Sequence, residues 1–211
     1  MAVFNRDKIM LIAAAGAAAV LTAGALVVSS ASAAPVGDAA PAFKENDSAG
    51  KMVKLSDFAG RTVVLEWTND GCPFVQKHYN SKNMQKTQEA ASKDGVVWLT
   101  VISSKPGSQG YVSGAQADKL TADRGAHPAH VLLDPDGSMG KAYGAKTTPH
   151  MYIITPDGKI AYNGAIDSIQ SNRVEDIPKA KNYVLAALDA VKAGKKPDPA
   201  LTVPYGCSVK Y

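Results

Sequence analysis

The sequence predicts a mixed α/β domain, a central sheet covered by helices on both faces. Three observations carry that expectation. Two near-continuous apolar runs, Val63-Val64-Leu65-Glu66-Trp67 and Val96 to Ser103, read as strands buried on both faces. Helix-forming stretches alternate with the strands, which places helices against the sheet. Pro156-Asp157-Gly158 joins two short apolar segments closely enough for an antiparallel hairpin. The 211 residues, 45% hydrophobic and 20% charged, exclude a disordered or fibrous chain and fit one domain of common size.

Residues 1–34 read as an export signal. Arg6 and Lys8 precede an Ala-rich apolar run from Ile9 to Val28, and Ala31-Ser32-Ala33 supplies small residues for signal peptidase. Cleavage is expected after Ala33 or Ala34; an uncleaved anchor is the competing reading, because the run is long enough to span a membrane. The cleaved protein is expected outside the cytoplasm, in the periplasm, with no stable membrane insertion. Residues 35–41 read as a small-residue linker, residues 42–211 as the domain, and residues 195–211 as its tail. Net charge is +4, and without the leader 21 basic face 18 acidic side chains. That mild balance, with no basic stripe interleaved with aromatics, argues against nucleic acid as a partner.

The elements follow in order. Met52 to Leu55 alternates like a strand after the turn Ser48-Ala49-Gly50. Arg61 to Thr68 holds the first buried strand, and Pro73 opens a helix expected to run to about Ser92. Val96 to Ser103 is the second buried strand. Ser113 is placed to cap a helix reaching Arg124. Val131-Leu132-Leu133 and Met151 to Ile154 are short strands, and Lys159 to Tyr162 completes the hairpin. Asn182 to Val191 sets Val184, Leu185, Leu188 and Val191 on one helical face, and Gly194 stops it.

Cys72 is the most informative position. Between a buried strand and a helix beginning near Pro73, a thiolate faces unpaired backbone N–H groups and the positive end of the helix dipole, which lower its pKa. Lys77 and His78 add positive charge one to two turns on. The alternative is a small buried residue at a tight junction, or half of a structural bridge. Cys207 is the other cysteine in the chain. In an oxidising compartment such a pair suggests a bridge, a redox couple, or a reactive thiol with a bystander.

Several motifs, in this order and spacing, resemble the thioredoxin-like superfamily. Ala42-Phe43 with Leu55 to Arg61 is similar to the N-terminal hairpin of its exported members. Val63 to Trp67 followed by Cys72-Pro73 resembles the strand and active-site turn. Thr148-Pro149 before Met151 resembles the cis-proline loop, and Asp157-Gly158-Lys159 with Tyr162-Asn163-Gly164 the closing hairpin. Cys72 to Tyr79, Tyr143-Gly144-Ala145 and Gly206 to Lys210 look like an exported peroxiredoxin-like redoxin subgroup. The resemblance implies a three-layer thioredoxin-like fold with an N-terminal β-hairpin extension. It also implies a thiol oxidoreductase without a cofactor or metal, contributing to redox homeostasis or antioxidant defence. The substrate would be a peroxide or a protein disulfide, and the reductant an external thiol, thioredoxin-like or of low molecular weight.

The residue roles implied are these. Cys72 is the nucleophile and Cys207 a resolving or bridging cysteine whose tail folds back over the site, anchored by Val203 and Tyr205. Glu66 stands where thioredoxins bury a proton-relaying acid; an acid reaching water is the competing reading. Asn69 stands where peroxiredoxins carry Thr or Ser, as a hydrogen-bond donor. Thr148, Pro149 and His150 form the substrate-facing loop, with His150 near Cys72. Val75 replaces the second cysteine of the thioredoxin motif, and Leu65 a peroxiredoxin proline. A peroxidatic site also needs an arginine near the thiolate, with Arg61, Arg124 and Arg173 as candidates. The reading from another class is a copper- or partner-binding module using Cys72, His78 and His150.

Overall fold

The computed structural model describes residue 1 and residues 34–211, so the leader reading falls on residues outside those described, save at its two ends. Among the described residues no helix is long and apolar enough to cross a membrane. Alternating residues near the N-terminus form a hairpin of β1 (Lys44–Asp47) and β2 (Met52–Lys54), paired from Lys44↔Lys54 to Asn46↔Met52. β3 (Val63–Trp67) is buried throughout, as is β4 (Val97–Ile102). After them come α1 (Pro73–Asn80), α2 (Asn83–Lys93), α3 (Gly114–Arg124), β5 (His130–Leu133) and α4 (Ser138–Tyr143). β6 (Thr147–Thr148), β7 (His150–Ile154), β8 (Ile160–Gly164), α5 (Tyr183–Lys192) and β9 (Cys207–Ser208) complete the fold.

The main sheet runs β2-β1-β5-β4-β3-β7-β8, with β3, β4 and β5 parallel and the other pairings antiparallel. Side-chain alternation divides the core in two. Val63, Leu65 and Trp67 face a cluster with Leu99, Leu132, Tyr143 and Tyr152. Val64 faces the opposite cluster with Trp98, Met151 and Ile153, where α1, α2 and α5 contribute Val75, Met84 and Leu188. α3 covers the same side through Ala117 against Ile102 and Val131, and α4 lies on the Trp67 side. The architecture is the expected three-layer mixed α/β sheet.

Four details differ from the expectation. The helix starting at Pro73 breaks at Lys82, whose φ is 62°. At the break Tyr79 O accepts from Lys82 N–H at 3.1 Å and from the Gln85 amide at 3.0 Å, and the same amide donates to Arg124 O at 2.7 Å. α4 was not anticipated; Asp134 nucleates it by accepting the Met139 and Gly140 N–H groups at 3.3 and 2.8 Å. The segment 35–41 is not a loose tether, because Gly37 and Ala40 donate to Ile160 O and Gly158 O at 2.8 and 2.9 Å along the β7–β8 hairpin. Val203 anchors nothing and is 72% exposed.

Candidate active site at the N-terminus of α1

β3 is an inner strand, so the chain leaving it emerges at the sheet's C-terminal end rather than at a side edge. Asn69 shapes the turn that follows. Its carbonyl accepts the Cys72 N–H at 3.0 Å, its Oδ1 accepts Gly71 N–H at 2.9 Å, and its Nδ2 donates to Gln109 O at 3.3 Å. The expected donation from the Asn69 side chain to the thiol is therefore not made; its amide is spent on the turn. Cys72 is the N-cap residue of α1, with Pro73 at the first helical position.

The Cys72 side chain is fully buried and its thiol donates to Thr148 O at 3.0 Å. Burial pushes the thiol up, but hydrogen bonds from the Cys207 thiol and backbone, the Val75 N–H in the first helical turn, and the Thr148 hydroxyl outweigh it. The net effect holds Cys72 below the ordinary value of 9.0. Lys77 and His78 do not supply this effect, contrary to the expectation. Lys77 is buried in an ion pair with Asp167 at 3.2 Å, and burial pushes His78 down to about 4, leaving it uncharged. Lys77 also donates to Ile169 O at 3.1 Å and Tyr205 OH at 3.4 Å. No sequence signal marked Asp167 or Tyr205 as its partners, because their separations from Lys77 are 90 and 128 residues.

Cys207 lies opposite Thr148 in the β6–β9 pairing, and both cysteines are free thiols. Burial, and the neighbouring Cys72 sulfur, push Cys207 up to about 11. The pair is therefore asymmetric: Cys72 ionises first and Cys207 holds its proton. Gly206 makes the approach possible, since a Cβ there would sit 2.0 Å from Thr148 O, at a φ of 140°. Alkylation of the reduced protein, followed by mass spectrometry against pH, is expected to modify Cys72 with a midpoint below 9 and Cys207 with one near 11. Reversed midpoints would contradict this asymmetry.

Glu66 is fully buried on the α1 side of β3. Tyr79, Trp98, Gln88 and Thr100 donate to it at 2.8, 2.8, 3.2 and 3.3 Å. Burial raises its pKa against those hydrogen bonds and the nearby Arg124 charge. The reading of an acid reaching water is thus excluded, but its four partners do not include Cys72. Arg124 pairs with Asp70 and lies 4.4 Å from the Tyr79 ring centroid, whereas Arg61 donates to Gly95 O and Arg173 pairs with Asp176. Arg124 is the candidate that the fold brings to the Cys72 turn.

The Thr148–Pro149 bond is cis. His150, by contrast, does not face Cys72. Strand alternation sends it to the Tyr152 side of the sheet, 4.8 Å from that ring, while Cys72 packs on the opposite side. Lys146 N–H donates to His150 Nδ1 at 3.1 Å and Asn163 Oδ1 lies 2.8 Å from Nε2, which fixes the neutral tautomer. Burial pushes His150 down to about 4 from 6.5, as it does His78. Each folded-state value lies below the unfolded one, so each histidine contributes stability that is present above pH 6.5 and lost as pH falls towards 4. Their ring resonances are expected to stay in the neutral form down to about pH 5; titration near 6.5 would contradict this burial.

Among the described residues no group of three or more His, Cys, Asp or Glu side chains is placed to hold a metal ion. His78 Nε2 meets Tyr205 OH at 3.3 Å and its Nδ1 meets Asn83 at 2.8 Å, so Cys72, His78 and His150 form no ligand set for copper.

The chain is similar to several known proteins. It is 25% identical over 124 residues to the thiol-disulfide oxidoreductase ResA of Bacillus subtilis (strain 168), covering 59% of this chain and 64% of that relative, less than two thirds of its length. An uncharacterized conserved protein from Geobacillus kaustophilus superimposes with a TM-score of 0.70 at 27% identity, over 84% of this chain and 92% of that one. A candidate thiol:disulfide interchange protein DsbE from Chlorobium tepidum gives 0.50 at 27% identity, over 62% and 85%. The family model described as Redoxin matches residues 35–184. That span holds β3, the Cys72 turn and the Thr148–Pro149 loop, and Cys207 lies beyond it. The chain belongs to the Redoxin family.

Proposed function

We propose that the chain is an exported thiol oxidoreductase in which Cys72 is the nucleophile and Cys207 resolves the oxidised intermediate. The observation that carries this reading is the cysteine pair itself: a depressed thiol at the start of α1, hydrogen-bonded to a second thiol of raised pKa. The leader supports export to the periplasm. The Cys72 thiolate attacks one atom of an O–O or S–S bond. With a hydroperoxide, Cys72 becomes a sulfenic acid and an alcohol or water leaves after taking up a proton. Cys207 then attacks the Cys72 sulfur, water leaves, and a Cys72–Cys207 disulfide remains. With a disulfide, Cys72 forms a mixed disulfide, and Cys207 displaces the bound thiol. An external dithiol, or two small thiols, returns the pair to the reduced state.

Thr148 O accepts the hydrogen bond of the Cys72 thiol before ionisation, and Pro149 continues the substrate-facing loop. Asn69 and Glu66 act on this site indirectly, by fixing the turn and the strand that carry Cys72. One equivalent of hydrogen peroxide, followed by intact-mass analysis, tests the cycle. The reading expects loss of two hydrogens from the wild type and gain of one oxygen in the Cys207→Ser variant. A wild type that gains oxygen without closing the bridge sinks it.

A further inference from the structure

The tail does more than deliver Cys207. Asn163 N–H donates to Ala200 O and Thr202 N–H to Asn163 O, both at 3.1 Å, and β9 pairs antiparallel with β6 through Thr147↔Ser208 and Thr148↔Cys207. Beyond the cysteine, Val209 N–H donates to Lys146 O at 3.1 Å, Lys105 N–H to Lys210 O at 2.9 Å, and Tyr211 OH to Ala145 O at 2.7 Å. The backbone beside Cys72 is therefore already paired with an extended, cysteine-bearing strand of the same chain. Cys72 beneath it is fully buried, while Cys207 is partly exposed.

Tyr205 is the residue that pins this strand from below. Its side chain is buried, its ring packs edge-on against Phe74 at 5.8 Å, and its hydroxyl donates to Asp167. Lys77 donates to the same hydroxyl and His78 lies 3.3 Å from it. A phenol held by a buried carboxylate and ammonium is a strong, charge-assisted anchor. Two residues after it, Cys207 is in register with Thr148. Gly206 between them has no room for a side chain.

Resting on the proposed nucleophilic role of Cys72, we propose that Tyr205 determines specificity: pinned to Asp167, it keeps the tail on β6 and restricts Cys72 to small oxidants, hydroperoxides and low-mass disulfides, excluding protein disulfides. A small oxidant needs only a local loosening beside Gly206. An extended protein segment must displace β9 altogether, which requires Tyr205 to leave Asp167 and Lys77. The chemistry is the same for low-mass and protein disulfides. Cys72 forms a bond to one substrate sulfur, the substrate S–S bond breaks, and the departing thiolate takes a proton from solvent.

The test compares full-length wild type with Tyr205→Phe, which keeps the ring and removes the hydroxyl. Each reduced protein is mixed with glutathione disulfide and, separately, with insulin, and the first-turnover rates are measured. Lys119→Ala, an exposed substitution on α3, serves as the control. Wild type is expected to react with insulin at least about a hundredfold more slowly than with glutathione disulfide. Tyr205→Phe raises the insulin rate about tenfold or more, changes the glutathione disulfide rate less than about threefold, and speeds amide exchange in residues 206–209 while β3 and β4 are unchanged. Equal changes in both rates, or no change in tail exchange, overturn the role of Tyr205 and leave the nucleophile standing. Failure of wild type to react with either disulfide overturns this inference, while the hydrogen peroxide experiment separately decides the nucleophilic role.

Discussion

Cys72→Ser is expected to abolish thiol exchange, lowering the rate with a small disulfide by at least about a thousandfold, the scale seen when an enzyme loses its nucleophile. The thiolate is the attacking species, and a serine hydroxyl in the same place stays protonated at neutral pH. The substitution is close to isosteric, so the fold has no reason to suffer. Serine still reaches the carbonyl of Thr148, which now accepts from the thiol at 3.0 Å. Unfolding curves should therefore superimpose while exchange disappears. Cys207→Ser gives a different pattern: the first attack by Cys72 survives and the mixed disulfide accumulates, because the resolving sulfur is gone. Retention of exchange in Cys72→Ser, with Cys207 carrying it, would reverse the assignment.

Asp167→Asn is expected to have the largest effect on stability, about 3–5 kcal/mol, because it leaves a buried ammonium without its counter-charge. Lys77 is fully buried and reaches Asp167 at 3.2 Å, with the Tyr205 hydroxyl beside both. The cost comes from the orphaned charge rather than from the attraction lost. Replacing both residues by apolar ones of similar size, Lys77→Met with Asp167→Leu, is therefore expected to recover much of it. Urea unfolding of Asp167→Asn, of Lys77→Met and Asp167→Leu singly, and of the double variant measures this. A double variant as unstable as the sum of the singles would show that the cluster is held by something other than its ion pair. The same measurement bears on the tail, because Tyr205 loses its acceptor where Asp167 becomes Leu.

The sheet was legible in the sequence because a strand covered on both faces needs an almost unbroken apolar run. Val63 to Trp67 and Val97 to Ile102 are such runs. The cap at Ser113 was legible for a similar reason: it bonds the backbone three residues ahead, so the signal lies within one turn. Cys72 before Pro73 was legible as a helix-terminal thiol, since both residues sit side by side in the chain. The break at Lys82 was not, because the stretch from Pro73 to Ser92 holds no further glycine or proline and the break rests on a left-handed Lys82. Nor was the side of the sheet taken by His150, which depends on the register of β7 against β3.

The layered fold and the place of Cys72 at a helix start are readable from the chain alone, because each is specified by neighbours within a few residues. Only the tertiary structure decided that Lys77 serves Asp167 instead of the thiol, that Glu66 is enclosed by four donors, and that the tail reaches Cys72. Those outcomes depend on groups far apart in the chain. Which charge meets which partner in the interior is set by packing, and packing is a property of the whole fold.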